Sequence, residues 1–554
     1  MKRLILSVLL GLGILFLSPA VSFADFPENN KFGIHLAVAT EEELQDAADL
    51  VNSSGGDWGY VTVVIEENDR DFGKWQRIFD RMRELHLIPI VRLATRFKNE
   101  NWQRPKPEGA KTWADFLDSL NWVVKNRYVV LFNEPNDSRE WGGKIDPQDY
   151  ARVVLGFAKL LKEKNPDFFI IPAGLNATAP HQLPDYEKEE TFLRQVFAAA
   201  PGGINDFMNN FDGWASHSYS TQAYIGELNL LRKLSLQKNL PVFVTETGWT
   251  HAEGLSFQAG FSSEKAVAQK IRSFYVQTAQ DSRVVAVTPF ILNYQGEPFD
   301  HFSWRRPGSP KDFYQQYYEI QSLSKKKGEP EQIQKLKVLS DLPPQLIVNS
   351  TYQIPLRLKN EGQGIWEAKD GYKFNLTDNK LESFVSDLPK LAPFGEGVVV
   401  LSIKTPSVPG KLELSLGVEK AGKVVSNSVS WPLQLIAPPD INLKVSLALK
   451  TKTDGNDFKF LIYNSKEEVI FEKTALNIQS GQGKIEGVNN LVIGERYRLV
   501  ILKPYYLPRQ TYLTIQEKGN QAVFKPMLPL DFNLDGKFSL ADLWVLIKQF
   551  FNFP

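Results

Sequence analysis

Residues 128–135 read YVVLFNEP, and residues 241–249 read PVFVTETGW. Each is an apolar, β-branched run too short for an ordinary helix, and each brings a carboxylate to its end: Glu134 in the first, Glu246 in the second. Runs of this kind form strands buried on both faces, as in parallel sheets. Six more runs share the texture: FGIHLA from 32, YVTVVIE from 60, IPIVRLA from 88, FFIIPAGL from 168, DGWASHSYS from 212 and VVAVTPFILNY from 284. Between them lie amphipathic stretches such as DFGKWQRIFDRMRELH, DPQDYARVVLGFAKLLKEKNP and SEKAVAQKIRSFYVQTAQ, apolar at spacings of three and four. Eight strand-helix units predict an α/β fold, a (β/α)8 barrel over residues 25–325. A doubly wound sheet would call for a Gly-rich loop after the first strand, and GIHLAVATEEE has none.

The flanks of that region read differently. Residues 1–24, MKRLILSVLLGLGILFLSPAVSFA, have the basic start, short apolar core and small residues before the cut of a secretory signal, so the chain is expected to be secreted. After SKKKGEPEQ the pattern turns to alternating β-type runs with frequent turn signals. Residues 326–438 are expected to hold a linker and an immunoglobulin-like β-sandwich, and 439–527 a second β-sandwich-like module. The 554 residues include no cysteine, which excludes thiol chemistry and disulfide staples. Lys plus Arg and Asp plus Glu both number 64, which argues against nucleic acid or an anionic membrane as partner and suits a neutral polysaccharide. Contact with a cell surface or wall is expected through the C-terminal modules.

Barrel enzymes carry their reactive groups at the C-terminal ends of the strands. Glu134 and Glu246 close the fourth and seventh strand candidates, so they are expected to face one another across the mouth. Two such carboxyls, one protonated and one ionised, are what glycoside cleavage needs. The chain here resembles the retaining (β/α)8 glycoside hydrolases of clan A, which carry Asn-Glu on strand four and Glu on strand seven. The matching residues are Asn133-Glu134-Pro135 and Glu246, and VFVTETGW is most similar to the seventh-strand motif of the family 17 β-1,3-glucanases, although Thr250 stands where that family has Pro. The resemblance implies Glu134 as general acid/base, Glu246 as nucleophile, Asn133 on the sugar 2-hydroxyl, and a β-linked polysaccharide, β-glucan first, as substrate. It implies no cofactor for catalysis.

Further site residues follow. His217 and Tyr219 match the clan's His-x-Tyr on strand six, with the Tyr hydroxyl on the nucleophile. Arg92 lies inside an apolar strand and is expected to be paired with a carboxylate near the barrel top. His35 on the first strand is placed similarly. Trp249 and Trp304 are candidates to stack on sugar, Trp304 as the floor of the site.

At the C-terminus, Asp531, Asn533, Asp535, Gly536 and Asp542, with Lys537 counted among them, fit the spacing of a calcium loop, and the apolar helix after it resembles half of a dockerin. Dockerins carry two such repeats and 528–554 holds one. The expected role is therefore a structural Ca2+ site that locks the end of the preceding module, not cohesin binding. Two rivals remain open: a non-catalytic surface protein that binds glycan, which has no need of paired carboxylates, and a transglycosylase using the same pair.

Overall fold

The computed structural model describes residues 29–234, 240–253, 261–308, 310–378 and 381–551. The expected signal segment, 1–24, lies outside them. The chain divides into two units, 1–332 and 333–554.

In the first unit the eight apolar runs are parallel strands: β1 (Gly33–Leu36), β2 (Gly59–Glu66), β3 (Leu87–Ala94), β4 (Arg127–Leu131), β5 (Phe168–Pro172), β6 (Trp214–His217), β7 (Val242–Glu246) and β8 (Val284–Val287). They form a five-stranded sheet, β1 to β5 in sequence order, and a three-stranded sheet ordered β8-β7-β6. Single contacts join the sheets at both seams. Val287 N donates to Lys31 O (2.9 Å) and His35 N to Pro289 O (3.0 Å) on one side; Asp212 N donates to Ile170 O (2.8 Å) on the other. Helices alternate with the strands, and some start at side-chain caps: Asp71 accepts from Lys74 N, and Asp146, followed by Pro147, accepts from Asp149 N. The β-branched strand residues and the helix faces form one apolar core that includes Ile34, Val61, Ile90, Val129, Ile170 and Val244. Packing thus fixes the strand bodies and leaves their C-terminal ends to carry polar groups.

Residues 326–332, expected in the linker, belong to this first unit. Lys125 N donates to Glu331 O (2.8 Å), and Gln332 Nε2 donates to Val123 O (2.8 Å).

The second unit is β-rich. Strands Leu336–Val338, Thr351–Asn360, Glu396–Lys404 and Glu382–Val385 form one sheet; Gln345–Ile347, Val429–Ile436, Gly410–Lys420 and Tyr372–Asp378 form another. Both send alternate residues, among them Leu356, Leu401, Leu414 and Leu433, into one core. Residues 441–523 add sheets of three and four strands around a second core. The two halves are tied: Tyr352 Oη donates to Leu491 O (3.0 Å) and Asn490 N to Ser350 Oγ (2.9 Å). A helix, Leu540–Phe551, ends the described chain.

Candidate active site

Both glutamates stand at strand ends, held by different means. Glu246 is the last residue of β7. Between β6 and β7 the register shifts by one from the pair Ser216–Val244 to the pair His217–Glu246, with Thr245 of β7 the extra residue, and this bulge brings His217 level with the carboxylate. Glu134 lies beyond β4, where Phe132 (φ 72°) and Glu134 (φ 27°) both take positive φ. Such strain in non-glycine residues persists only where the surroundings impose it; here Glu134 N donates to Gly174 O (3.0 Å). Gly174 has a second duty. A Cβ on it would lie 2.2 Å from His217 Cδ2, so only glycine leaves room for the imidazole.

The polar groups converge. One carboxylate oxygen each from Glu134 and Glu246 and one ring nitrogen of His217 lie within 4.8 Å of one another. His217 Nδ1 is 3.0 Å from Glu134 Oε1 and 3.8 Å from Glu246 Oε2, and its Nε2 is 3.0 Å from Thr245 Oγ1. Tyr219 Oη donates to Glu246 Oε2 (2.7 Å). His35 Nδ1 lies 3.9 Å from Glu246 Oε1.

Electrostatics split the pair. Burial pushes the Glu134 carboxyl up; the His217 hydrogen bond opposes this and the charge of Glu246 adds to it. Burial also opposes ionisation of Glu246, but His217, Arg92 and the Tyr219 hydroxyl outweigh it and hold its pKa below the usual value. Burial drives His35 down to about 3, so it is neutral. The arrangement therefore favours a proton on Glu134 and a charge on Glu246.

Glu134, Glu246, His217, Tyr219 and His35 thus come together. Asn133 stands beside them and donates from Nδ2 to Glu140 Oε2 (3.2 Å). Two expectations fail. Arg92 forms no ion pair among the described residues, and its Nε is buried without a hydrogen-bond partner; half-buried rather than enclosed, it acts on Glu246 and Glu140 through its field. Trp304 is no floor for sugar: it is 3% exposed and packed in the core. Trp249 is half-buried with its ring edge-on to Phe274 at 6.0 Å. The ring beside His35 is Phe290, at 5.3 Å, followed by Phe302, which faces Tyr219 at 5.7 Å.

Other groups went unread in the sequence. Glu140, on the turn after Glu134, is pushed up to about 7, by burial first, against the pull of Arg92. Glu227 is buried behind β6 and accepts from Trp214 Nε1 (3.0 Å), Ser218 Oγ (2.8 Å) and Ser216 Oγ. The alternation of a strand explains the arrangement: Ser216 and Ser218 turn to Glu227 while His217 and Tyr219 turn to the carboxyl pair. Alternating Ser-His-Ser-Tyr was the available signal for it.

At the C-terminus one oxygen each of Asp531, Asp535 and Asp542 lie within 4.8 Å of one another. Asp542 Oδ1 accepts from Phe532 N and Asn533 N, and Asn533 Oδ1 accepts from Asp535 N. Leu534 and Gly536 take positive φ in the turn. Asp531 Oδ1 is buried with no hydrogen-bond partner, which fits a hard cation among these oxygens. Lys537 contributes its N–H to Asp535 Oδ1 (2.8 Å).

No protein-family model matches the chain, and no curated protein matches it. Solved structures that resemble it include glycoside hydrolases. A GH128 (subgroup II) endo-β-1,3-glucanase from Pseudomonas viridiflava gives a TM-score of 0.39 at 15% identity, covering 53% of this chain and 98% of that one. A GH39 β-xylosidase from Caulobacter crescentus gives 0.39 at 13%, covering 68% and 97%. A β-mannanase from Thermomonospora fusca gives 0.37 at 14%, covering 54% and 92%.

Proposed function

We propose that the first unit is a (β/α)8 glycoside hydrolase that cleaves a neutral β-linked polysaccharide with retention of configuration. The observation that carries this reading is the carboxyl pair, with oxygens within 4.8 Å and opposite shifts in proton affinity. Retaining enzymes place their carboxyls about 5–5.5 Å apart, and inverting enzymes leave a wider gap for water. Glu246 would attack the anomeric carbon as Glu134 gives its proton to the departing glycosidic oxygen. Glu134, now ionised, would take a proton from water as that water's oxygen displaces Glu246 and restores the free enzyme. Tyr219 would hold Glu246 in line, and His217 would bridge the two. The VFVTETGW resemblance puts β-glucan first among substrates.

The chain is proposed to be secreted, with its second unit carrying an immunoglobulin-like sandwich and a second β module that contact a cell surface or wall. Asp531, Asn533, Asp535 and Asp542 would hold Ca2+, which would tie the C-terminal helix to the turn before it.

Hydrolysis of β-glucans, mannans and xylans by the full-length protein, beside Glu134→Gln and Glu246→Gln, tests the reading. The expected result is cleavage by the parent, loss in both variants, and a first product with the anomeric configuration of the substrate. An inverted first product would overturn retention; a parent inert on every polymer would overturn the reading.

A further inference from the structure

The C-terminal end of β6 outruns its ladder. The last pair it makes with β7 is His217–Glu246, and Ser218 and Tyr219 continue past it. Yet Tyr219 keeps its hydroxyl 2.7 Å from Glu246 Oε2, and His217 its Nδ1 3.0 Å from Glu134 Oε1. What holds the strand end lies behind it. Glu227, buried on the helix Thr221–Leu234, accepts from Trp214 Nε1 at Oε1 (3.0 Å) and, at Oε2, from the hydroxyls of Ser216 and Ser218, the latter at 2.8 Å. Residues 214, 216 and 218 share one face of the strand, so a single carboxyl grips three successive side chains of that face. Thr247 Oγ1 also donates to Ser218 O (2.8 Å), which fixes residue 218 at its main chain as well.

Three donors converging on one group call for an acceptor, and an ionised carboxylate only accepts. A glutamine amide in its place would aim N–H groups either at the indole N–H, which cannot accept, or at the serine hydroxyls, which would have to reverse. The groups facing Glu227 suit its role. Glu189, on the helix Glu189–Ala199, is buried with Oε1 lacking a hydrogen-bond partner, and burial, then the charge of Glu227, pushes its carboxyl well above the usual range. Burial pushes Glu227 up as well, but its three hydrogen bonds and the nearby His217 pull it back. Of the two carboxyls Glu189 keeps the proton, which leaves Glu227 to accept.

We propose that Glu227 is a positioning residue of the active site: its carboxylate holds Ser216 and Ser218, and through them sets His217 against Glu134 and Tyr219 against Glu246. The inference rests on the hydrolase reading and extends it to a side chain that touches no reacting atom. Its consequence is a pH dependence. Tyr219 helps to keep Glu246 ionised, beside His217 and Arg92, while Glu134 and the neutral His35 complete the groups that face it. Loosening Tyr219 therefore raises the proton affinity of Glu246, and the acid limb of kcat/KM, set by that carboxylate in the free enzyme, moves to higher pH.

Full-length Glu227→Gln, Ser218→Ala and Glu189→Gln, assayed beside the parent on the polysaccharide that the parent cleaves, test it. Glu227→Gln is expected to lower kcat by about 10- to 100-fold with KM little changed, and to move the acid limb to higher pH. Ser218→Ala removes one hydroxyl and keeps Glu227, so it should act in the same direction by less; if Glu227→Gln does not fold, its limb decides alone. Glu189→Gln replaces a protonated carboxyl with a neutral isostere and should leave kcat and the limb in place. Activity lost with the limb unmoved, or an equal effect from Glu189→Gln, overturns the positioning role, since a packing defect lowers the amount of active enzyme without retitrating Glu246. A crystal structure of Glu227→Gln reads the geometry without substrate. Tyr219 and His217 displaced in a chain whose parent cleaves no glycan would keep the positioning and sink the hydrolase reading; both side chains still in place would overturn the positioning whatever the parent cleaves.

Discussion

The two units treat charge in opposite ways. In the first, His35, Glu189, His217, Glu227 and Glu246 are buried, and burial is the largest influence on the proton affinity of each. In the second, the charges sit outside and pair: Lys335 and Lys337 with Glu361, Lys390 with Glu367, Lys459 with Glu472. Buried charge costs stability unless it is paired, so a fold keeps it where chemistry or binding requires it. In the second unit Glu419 is buried but paired with Lys373, and two residues are telling exceptions. Asp531 and Asp542 are buried with no basic group in an ion pair with either among the described residues. A cation would make this exception obey the rule.

The largest effect is expected where the first unit holds its opposed pair. Glu134→Gln and Glu246→Gln should each lower kcat by about 10²–10⁴-fold. Their effects on stability should differ in sign. Glu134 has a raised folded pKa, so its contribution is present at low pH and lost as pH rises; the neutral Gln should stabilise the fold at pH 7. Glu246 has a lowered folded pKa, so its contribution is present above the unfolded value near 4.5 and lost as pH falls; Gln should destabilise at pH 7. Thermal unfolding of both variants at pH 4 and 7 checks the signs. Shifts of the same sign would mean the two carboxyls do not divide the proton.

Next in size is the exception in the second unit. Calcium at about 100 times its Kd should stabilise that unit by about 2.7 kcal/mol, a chelator should remove the gain, and Asp542→Ala should abolish the response. Calorimetric unfolding with and without Ca2+ decides it; a second unit indifferent to calcium would leave Asp531 and Asp542 as buried acids without a reason.

How much of this was legible depended on whether local pattern or convergence sets the feature. The strands β1 to β8 fell where their apolar runs lay, because burial on both faces leaves a continuous signature. Glu134 and Glu246 were readable for the same reason, as carboxylates closing such runs. Trp304 misled, since a tryptophan in a loop satisfies the sequence pattern whether it faces sugar or core, and the core took it. Arg92 misled differently: a cation in an apolar strand suggested a partner, but the strand end opens to the cleft, and partial solvation replaces the ion pair. Glu140 could not be read, because part of its environment, Arg92 on β3 and Trp102, lies far from it in sequence.

Glu140 therefore sharpens the comparison at intermediate scale. Its folded pKa, about 7 against an ordinary 4.5, means stability fully present below pH 4.5 and lost as pH rises through 7. The loss should be about 1–3 kcal/mol by pH 8, discounted for the opening of the cleft to solvent. Glu140→Gln should flatten that slope, and urea unfolding at pH 5 and pH 8 measures it.

The smallest effect belongs to the surface. Lys459 and Glu472 lie 2.8 Å apart with side chains 41% and 45% exposed, where solvent and salt screen the attraction and ordering two long side chains offsets it. Replacing Lys459 with Met, which keeps most of the stem and removes the charge, should move the thermal midpoint by no more than about a degree. A drop of several degrees would mean that exposed pairs hold the second unit together. The contrast would then separate two ways of using charge for stability, and burial in the first unit would lose its value as a marker of function.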